Sequence, residues 1–131
     1  LPEFCDGLAD LEGFDRVILL YHFHRSEGYA LRVVPFLDDS ERGVFATRAP
    51  RRPNPIGLSV VRIVGVKGCR LVIEDVDVLD GTPLLDIKPY TAKFDRLETS
   101  RNGWQDEVDE ETAQHLGRRE YKQAESPASG E

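Results

Sequence analysis

The chain lacks the features that would place it in several protein classes. Its 131 residues include no methionine and only two cysteines, Cys5 and Cys69, too few for the disulfide framework of a small secreted domain. No apolar run reaches the roughly 18 residues that a membrane-spanning helix needs, and no signal peptide begins at Leu1. We therefore expect two reduced thiols in a cytoplasmic protein without a membrane partner. Because the sequence starts with leucine rather than methionine, we also expect residues upstream of it.

The common cofactor and metal motifs are missing as well. The sequence has no GxGxxG segment, Walker loop, Ser-His-Asp or Cys-His set, or zinc signature. His22 and His24 share a face at the end of a predicted strand, but no cysteine or further histidine lies at metal-ligand spacing. We interpret the pair as polar strand-end residues, with ligand contact as the alternative. The segment DVDVLDG resembles a calcium loop only superficially, because Leu79 occupies a ligand position. We predict no metal site and no Rossmann-type site.

Charge is unevenly distributed along the chain. The net charge of −7 argues at first against a nucleic-acid partner. Residues 1–94, however, hold 14 acidic and 12 basic residues, whereas residues 95–131 hold 10 acidic and 5 basic ones. The first region is therefore nearly neutral, and it contains a group of arginines close together in sequence: Arg42, Arg48, Arg51, Arg52 and Arg62. This basic patch weakens the argument against RNA.

The hydrophobic pattern predicts a mainly β protein. Strand-like segments alternate with turns at a spacing typical of an all-β barrel or sandwich. They are RVILLYHF, ALRVVPF, RGVFATR, GLSVVRIVGV, CRLVIEDVDVL and LLDIKPY. We expect a tight hairpin at Lys67 and Gly68. A short helix is predicted in EFCDGLADLEGF, and another in DEVDEETAQHLGRREYKQ, residues 106–123 of the acidic tail, where acids precede bases. We predict one compact domain over residues 1–94 and a partly helical tail over residues 95–131.

The loop RRPNPIGLS, residues 51–59, predicts a stiff binding loop. Pro53 and Pro55 have no N–H to donate and bias the residues before them toward extended geometry. Gly57 admits a close approach of backbone or ligand. Arg48, at the end of the preceding predicted strand, is a candidate for binding an anion or a base. A solvated arginine is an equally good interpretation of the pattern.

The segment LDGTPLLDIKPY, residues 79–90, carries a second set of polar side chains. Its minimal interpretation is a turn between two strands. The density of functional groups favours a site, because five of them crowd a short segment: Asp80, Thr82, Asp86, Lys88 and Tyr90. The first four are in even register, so a continuous strand would direct them to one face, although the turn at Gly81 interrupts that register.

These two segments resemble a known family. RGVFATRAPRRPNPIGLS followed by DVLDGTPLLDIKPY is similar to the TrmO family, also called TsaA-like, and LEGFDRVILLYHFH resembles the helix and strand that precede them in the family. The resemblance extends from Leu1 to about Phe94. It implies a compact β-barrel, a homodimer and an S-adenosylmethionine-dependent tRNA methyltransferase. The implied substrate is N6 of threonylcarbamoyl-adenosine, beside the anticodon of threonine tRNA.

The resemblance also implies roles for particular residues. The positions that correspond to cofactor contacts are His24, Arg25, Arg48, Leu58, Leu79, Asp80, Gly81 and Thr82. Residues that would face tRNA or support the site are Arg51, Arg52, Asn54, Lys88 and Tyr90. Family members begin with a strand and a Pro-Arg-Gln segment that this chain does not contain, so we expect a barrel short of its first strand.

The chemistry of methyl transfer suggests a base. The acceptor N6 lies between adenine and a carbonyl, which delocalises its lone pair, so removal of its proton would help. Asp80 and Asp86 are the candidate carboxylates, and Asp80 is also a candidate for binding the cofactor. Two alternatives stay open: a module that binds cofactor or nucleotide without catalysis, and a methyltransferase of the same fold acting on another RNA or a small molecule.

Overall fold

The chain divides into two compact units. The structure is a computed structural model that describes residues 1–108. The first unit contains Leu1–His24 and Ile56–Leu97, and the second contains Arg25–Pro55 and residues 98–108 of the described chain. The helix predicted over residues 106–123 falls almost entirely outside the described residues.

The first unit is built on a four-stranded antiparallel sheet. Its strands are β1 (Arg16–His22), β4 (Ile56–Lys67), β5 (Arg70–Glu74) and β6 (Leu84–Pro89), in the order β5-β4-β1-β6. β1 is central because its sequence RVILLYH buries every second side chain, as expected when one face of a strand packs on a core. A turn at Gly68, with a positive φ of 60°, joins β4 to β5 and confirms the predicted hairpin.

The two faces of this sheet differ in burial. One face carries the core: Val17, Leu19 and Tyr21 of β1 pack with Val61 of β4 and with Leu11. The opposite face carries Leu20 of β1, which pairs with Leu58 on one side and with Asp86 on the other. Directly paired residues point to the same face, so that face combines apolar and charged side chains and is largely exposed.

A disulfide ties the N-terminus to the sheet. The predicted N-terminal helix is present as two 3₁₀ helices, Pro2–Leu8 and Leu11–Gly13. The first of them brings Cys5 to Cys69 in the β4–β5 turn, where the two residues form a disulfide with a Cα–Cα distance of 5.0 Å. The expectation of two reduced thiols is therefore wrong for this structure. That expectation rested on cellular compartment, whereas pairing depends on a Cα separation within disulfide range.

The second unit has little regular structure. β2 (Arg32–Val33) and β3 (Arg42–Gly43) form a short antiparallel pair. The predicted strand RGVFATR is mostly absent, because the chain turns into a 3₁₀ helix at Val44–Ala46 after only two strand residues. Another 3₁₀ helix, Gly103–Glu107, carries Trp104, whose Nε1 donates to the Ala46 carbonyl at 2.8 Å.

The mainly β prediction is confirmed, whereas barrel closure is not found in residues 1–108. A barrel pairs its outermost strands with each other, but β5 and β6 are both edges of an open sheet. After Glu74 the chain leaves the sheet, so the long predicted strand CRLVIEDVDVL ends early. A single-turn helix, α1 (Ala92–Asp95), follows β6. In the same described residues, no helix combines the length and apolar content needed to cross a bilayer.

Candidate functional site

Three segments of the first unit meet at one end of its sheet. β1 ends at His22, which pairs with Ile56 at the start of β4. The backbone N–H of His22 also donates to the Pro83 carbonyl at 2.9 Å, so the turn before β6 lies at the same end. This end of the sheet gathers the predicted cofactor residues of the first unit: His24, Leu58, Leu79, Asp80, Gly81 and Thr82.

The turn from Leu79 to Thr82 is closed by its own hydrogen bonds. The Thr82 backbone N–H donates to the Leu79 carbonyl at 3.1 Å, and the Thr82 hydroxyl donates to the same oxygen. Gly81 has a φ of 84°, a conformation that favours glycine. Asp80 is exposed and forms no ion pair with any residue in the range 1–108. Its carboxylate is therefore available to a ligand.

Asp86 and Lys88 of β6 interact with each other. The Lys88 Nζ lies 2.9 Å from Asp86 Oδ2, which shows that the two side chains share a face as their register predicts. The hydrogen bond from Lys88 lowers the pKa of Asp86, and the backbone N–H of Ile87 lowers it further. A carboxylate with a lowered pKa is a weaker base. This pairing favours Asp80 over Asp86 as a proton acceptor.

Tyr90 lies at the opposite end of the sheet from these residues. It follows β6 and donates its backbone N–H to the Arg16 carbonyl at the start of β1. The six residues of β6 separate it from the Thr82 turn by roughly 20 Å, at about 3.3 Å a residue. The structure therefore does not bring Tyr90 together with the other predicted residues of the first unit.

The second unit carries the predicted arginines, three of them on its proline-rich loop and Arg25 before it. Arg25, Arg48, Arg51 and Asn54 are exposed. The three arginines among them form no ion pair within residues 1–108, whereas Arg42 is held by Asp38 and lies 3.9 Å from Glu107. Arg25, Arg48 and Arg51 are thus the predicted site arginines of this unit that can meet an anion.

Arg52 is used differently from its neighbours. It is half-buried, and its Nη1 donates to the carbonyls of Thr47 at 2.9 Å and of Ala49 at 3.2 Å. Its backbone N–H donates to the Pro50 carbonyl at 2.9 Å. The guanidinium is therefore engaged inside the loop in this structure.

Sequence reasoning missed two residues that organise this loop. Thr47 is buried; its hydroxyl donates to the Val44 carbonyl at 2.8 Å and accepts from the Ala49 N–H. The Ser26 hydroxyl donates to the Pro50 carbonyl at 3.2 Å, which ties the segment after Arg25 to the loop. The available signal was the residue type, because serine and threonine beside proline and arginine often close local turns.

A hollow in the first unit lies away from most of the predicted site residues. It measures about 650 Å³ and lies between the first 3₁₀ helix and the buried face of the sheet. Most of its lining is apolar, from Phe4 and Leu8 to Leu19 and Ile87, and Asp86 is the predicted residue that reaches it. In the described part of the chain, no group of three or more metal-ligating side chains comes together.

Comparison with known proteins decides the family. The model of the tRNA-methyltransferase O N-terminal domain matches residues 1–96. The chain belongs to this family. This member of the tRNA-methyltransferase O (TrmO) family also resembles a crystal structure of TrmO from Pseudomonas aeruginosa, with a TM-score of 0.64 and 44% sequence identity. The match covers 79% of this chain and 44% of the crystallised one.

Two relatives of this TrmO-family chain carry different names. A probable S-adenosyl-L-methionine-binding protein of Pyrococcus abyssi is 60% identical over 79% of this chain and 56% of its own length. A tRNA (adenine(37)-N6)-methyltransferase of Mus musculus is 44% identical over 68% of this chain and 21% of its own length. The chain thus spans just over half of the first relative and about a fifth of the second.

Proposed function

We propose that this TrmO-family chain binds S-adenosylmethionine and methylates tRNA, on N6 of threonylcarbamoyl-adenosine beside the anticodon of threonine tRNA. The observation that carries the proposal is the sheet end where Leu58 and the turn Leu79–Thr82 meet. Six of the eight positions that the family resemblance links to the cofactor belong to that end of the sheet, whereas Arg25 and Arg48 belong to the second unit. Relatives named as S-adenosylmethionine-binding proteins and as a tRNA methyltransferase support the same function.

The residues at the sheet end suit the chemical groups of S-adenosylmethionine. Leu58 and Leu79 are 47% and 44% exposed, which leaves apolar surface for a purine ring. The free Asp80 carboxylate fits an ammonium group or a ribose hydroxyl. An arginine such as Arg48 suits a carboxylate, because a guanidinium donates in a planar fork. When bound, S-adenosylmethionine supplies a methyl group on a positively charged sulfur.

The protein's own part in the reaction is to align the acceptor and to take its proton. Asp80 is the base in this proposal, since its carboxylate has no cationic partner in residues 1–108, whereas Asp86 is paired with Lys88. A proton on N6 of the substrate would pass to an Asp80 oxygen as the nitrogen becomes nucleophilic. Asp86 and Lys88 then act in support, at the edge of the same sheet.

The exposed arginines provide the RNA contact in this proposal. Arg51 and Asn54 lie on the loop with Arg48, and phosphate neutralisation by such cations gives most of the affinity for a tRNA. Affinity should therefore fall steeply as salt rises. Lys88 is an additional candidate for contact with the tRNA. Tyr90 lies at the other end of the sheet, so any tRNA contact that it makes is far from the cofactor site.

Calorimetric titration with S-adenosylmethionine tests the cofactor site. We expect the wild-type chain to bind and the Arg48→Ala variant to bind at least tenfold more weakly, the loss corresponding to about 1.4 kcal/mol. Lys67→Ala is the matched control, because Lys67 ends β4 while Leu58 lies near its start. Equal affinity of all three proteins would contradict the assignment of Arg48.

A methylation assay tests the reaction and its substrate. We expect transfer to threonine tRNA that carries the threonylcarbamoyl group and none to the same tRNA without it. As the base, Asp80 predicts that Asp80→Asn keeps cofactor affinity and loses turnover by about 10²-fold or more, the range for a general base. A loss of cofactor affinity would instead assign Asp80 to the ammonium group or ribose of the cofactor. Full activity of Asp80→Asn would remove it as the base. Cofactor binding with no turnover on any tRNA would favour the non-catalytic binding module.

Assembly and location are further parts of the proposal. We propose a homodimer, which sedimentation equilibrium tests directly, and a cytoplasmic location, where tRNA is modified. A disulfide is unusual in that compartment in most organisms. Counting free thiols in protein that was alkylated during cell lysis tests whether Cys5 and Cys69 are joined there.

A further inference from the structure

The loop that carries Arg48 has more backbone acceptors than backbone donors. Its sequence, TRAPRRPNP, places proline at positions 50, 53 and 55, and proline has no N–H. Carbonyl oxygens in such a loop need donors from side chains. Arginine is the side chain best suited to supply them, because its guanidinium has five N–H groups and no acceptor.

Arg52 supplies those donors on both sides of Arg48. The carbonyl of Thr47 precedes Arg48 and the carbonyl of Ala49 follows it, and one nitrogen of Arg52 donates to both, at 2.9 and 3.2 Å. The Arg52 backbone N–H and the Ser26 hydroxyl together occupy the next carbonyl, that of Pro50. The backbone around Arg48 is therefore fixed, while the Arg48 side chain is exposed.

We propose that Arg52 is a positioning residue that presents Arg48 to its ligand, rather than a contact for RNA. Nη1 of Arg52 donates to two carbonyls of the loop, and the half-buried side chain offers less surface to a phosphate than the exposed Arg51 does. Arg51, next in sequence and exposed, is the residue that meets the anion. The proposal rests on the proposed function in one respect, namely that Arg48 contacts the cofactor.

Cleavage by trypsin tests the positioning role without any ligand. Trypsin cuts the Arg48–Ala49 bond only when the loop opens, and the rate follows the population of the open form when opening is fast. Because hydrogen bonds from a charged donor are among the stronger ones, we expect Arg52→Ala to raise the rate of this cut about tenfold. Arg51→Ala, the matched control, should leave it unchanged.

A conservative variant separates shape from charge. Arg52→Lys keeps the positive charge but loses the planar fork that arginine offers. We expect its rate of cleavage after Arg48 to resemble that of Arg52→Ala, with the sheet intact by circular dichroism in both. Cleavage after Arg48 at the wild-type rate in the Arg52 variants would overturn the proposal, whatever the chain binds.

A double-mutant cycle tests whether Arg52 acts through Arg48. We expect Arg52→Ala to weaken S-adenosylmethionine binding in the wild-type background and to have no further effect in the Arg48→Ala background. Additive losses would overturn the proposal, since a residue that only stabilises the fold would weaken binding in both backgrounds. If the wild-type chain does not bind S-adenosylmethionine, the proposed function fails, and the cleavage rates still decide whether Arg52 holds the loop.

The salt dependence of tRNA binding separates Arg52 from Arg51. A lost phosphate contact lowers the slope of log affinity against log salt by about one. We expect that decrease for Arg51→Ala and an unchanged slope for Arg52→Ala. The reverse result would restore Arg52 as an RNA contact and overturn the positioning role.

Discussion

Gly57 is a position where a single added methyl group should be costly. A Cβ atom there would overlap Cε2 of Tyr21 and lie 2.7 Å from Tyr21 Cζ and 2.8 Å from Phe23 Cζ. Neither ring can move away easily. Tyr21 is 8% exposed and its hydroxyl lies 2.7 Å from Ser59 Oγ, while the Phe23 ring meets it edge to face with centroids 5.6 Å apart.

The expected cost of Gly57→Ala follows from this crowding. Overpacking of a well-filled site destabilises a protein by about 1–3 kcal/mol. Gly65→Ala is the matched control on the same strand, because a Cβ at Gly65 meets no atom within 4 Å. Its effect should stay within about 0.5 kcal/mol, and it can be slightly stabilising because alanine restricts the unfolded chain.

Urea unfolding followed by circular dichroism measures this difference. For a chain of this length, 1 kcal/mol corresponds to about 4 °C in Tm, so thermal unfolding gives a second reading. Replacing Tyr21 by leucine should relieve most of the cost of Gly57→Ala, since the smaller side chain vacates the space. Equal stabilities of Gly57→Ala and Gly65→Ala would refute the reasoning.

Two further predictions concern the covalent link and the ion pair of the first unit. Because the Cys5–Cys69 bond joins residues separated by 64 positions, its loss in Cys69→Ser should lower the free energy of unfolding by about 4 kcal/mol on chain-entropy grounds. The Cys5→Ser, Cys69→Ser double variant should unfold at the same urea concentration as the single variant. If both variants unfold at the wild-type urea concentration, the two cysteines are not linked in solution. For the pair Asp86–Lys88, the lowered pKa of Asp86 means that its contribution to stability is present above the ordinary carboxyl pKa and is lost as pH falls through the lower folded value. Lys88→Gln should raise the pKa of Asp86 in an NMR titration, and an unchanged value would show that the ion pair is not formed in solution.

Strand positions in the first unit were largely predictable from sequence. β1 alternates buried and half-buried side chains over RVILLYH, and β4 shows the apolar, β-branched run that marks a strand. The hairpin at Gly68 followed from the turn residues themselves. These are local properties, so they can be inferred from residues that are neighbours in the sequence.

Features that depend on distant residues were not predictable in the same way. The rings that fill the space at Gly57 belong to Tyr21 of β1 and to Phe23 just after it, whereas the sequence predicted only a close approach by backbone or ligand. The disulfide joins Cys5 and Cys69, which are 64 positions apart in the sequence, so their proximity depends on the folded chain. The strand predicted at Val44 became a 3₁₀ helix, although its composition is that of a strand, because tertiary context overrides propensity.

The candidate site likewise combines local features that the sequence predicts with contacts that it does not. The turn Leu79–Thr82 and the stiffness of the proline loop followed from residue types. The engagement of Arg52 with two carbonyls could not be inferred from its neighbours, since Arg51 and Arg52 look alike in sequence and differ only in where their side chains lie.

The disulfide makes residues 5–69 a covalently closed ring that contains Arg48 and its loop. A protease that cuts once after Arg48 therefore opens the ring without releasing a fragment, and both pieces continue to migrate as one molecule. They separate only after reduction. A trypsin digest run in parallel with and without reductant thus maps the ring directly, because a cut inside residues 5–69 stays hidden until the sulfur bridge is broken, whereas a cut beyond Cys69 is visible in both lanes.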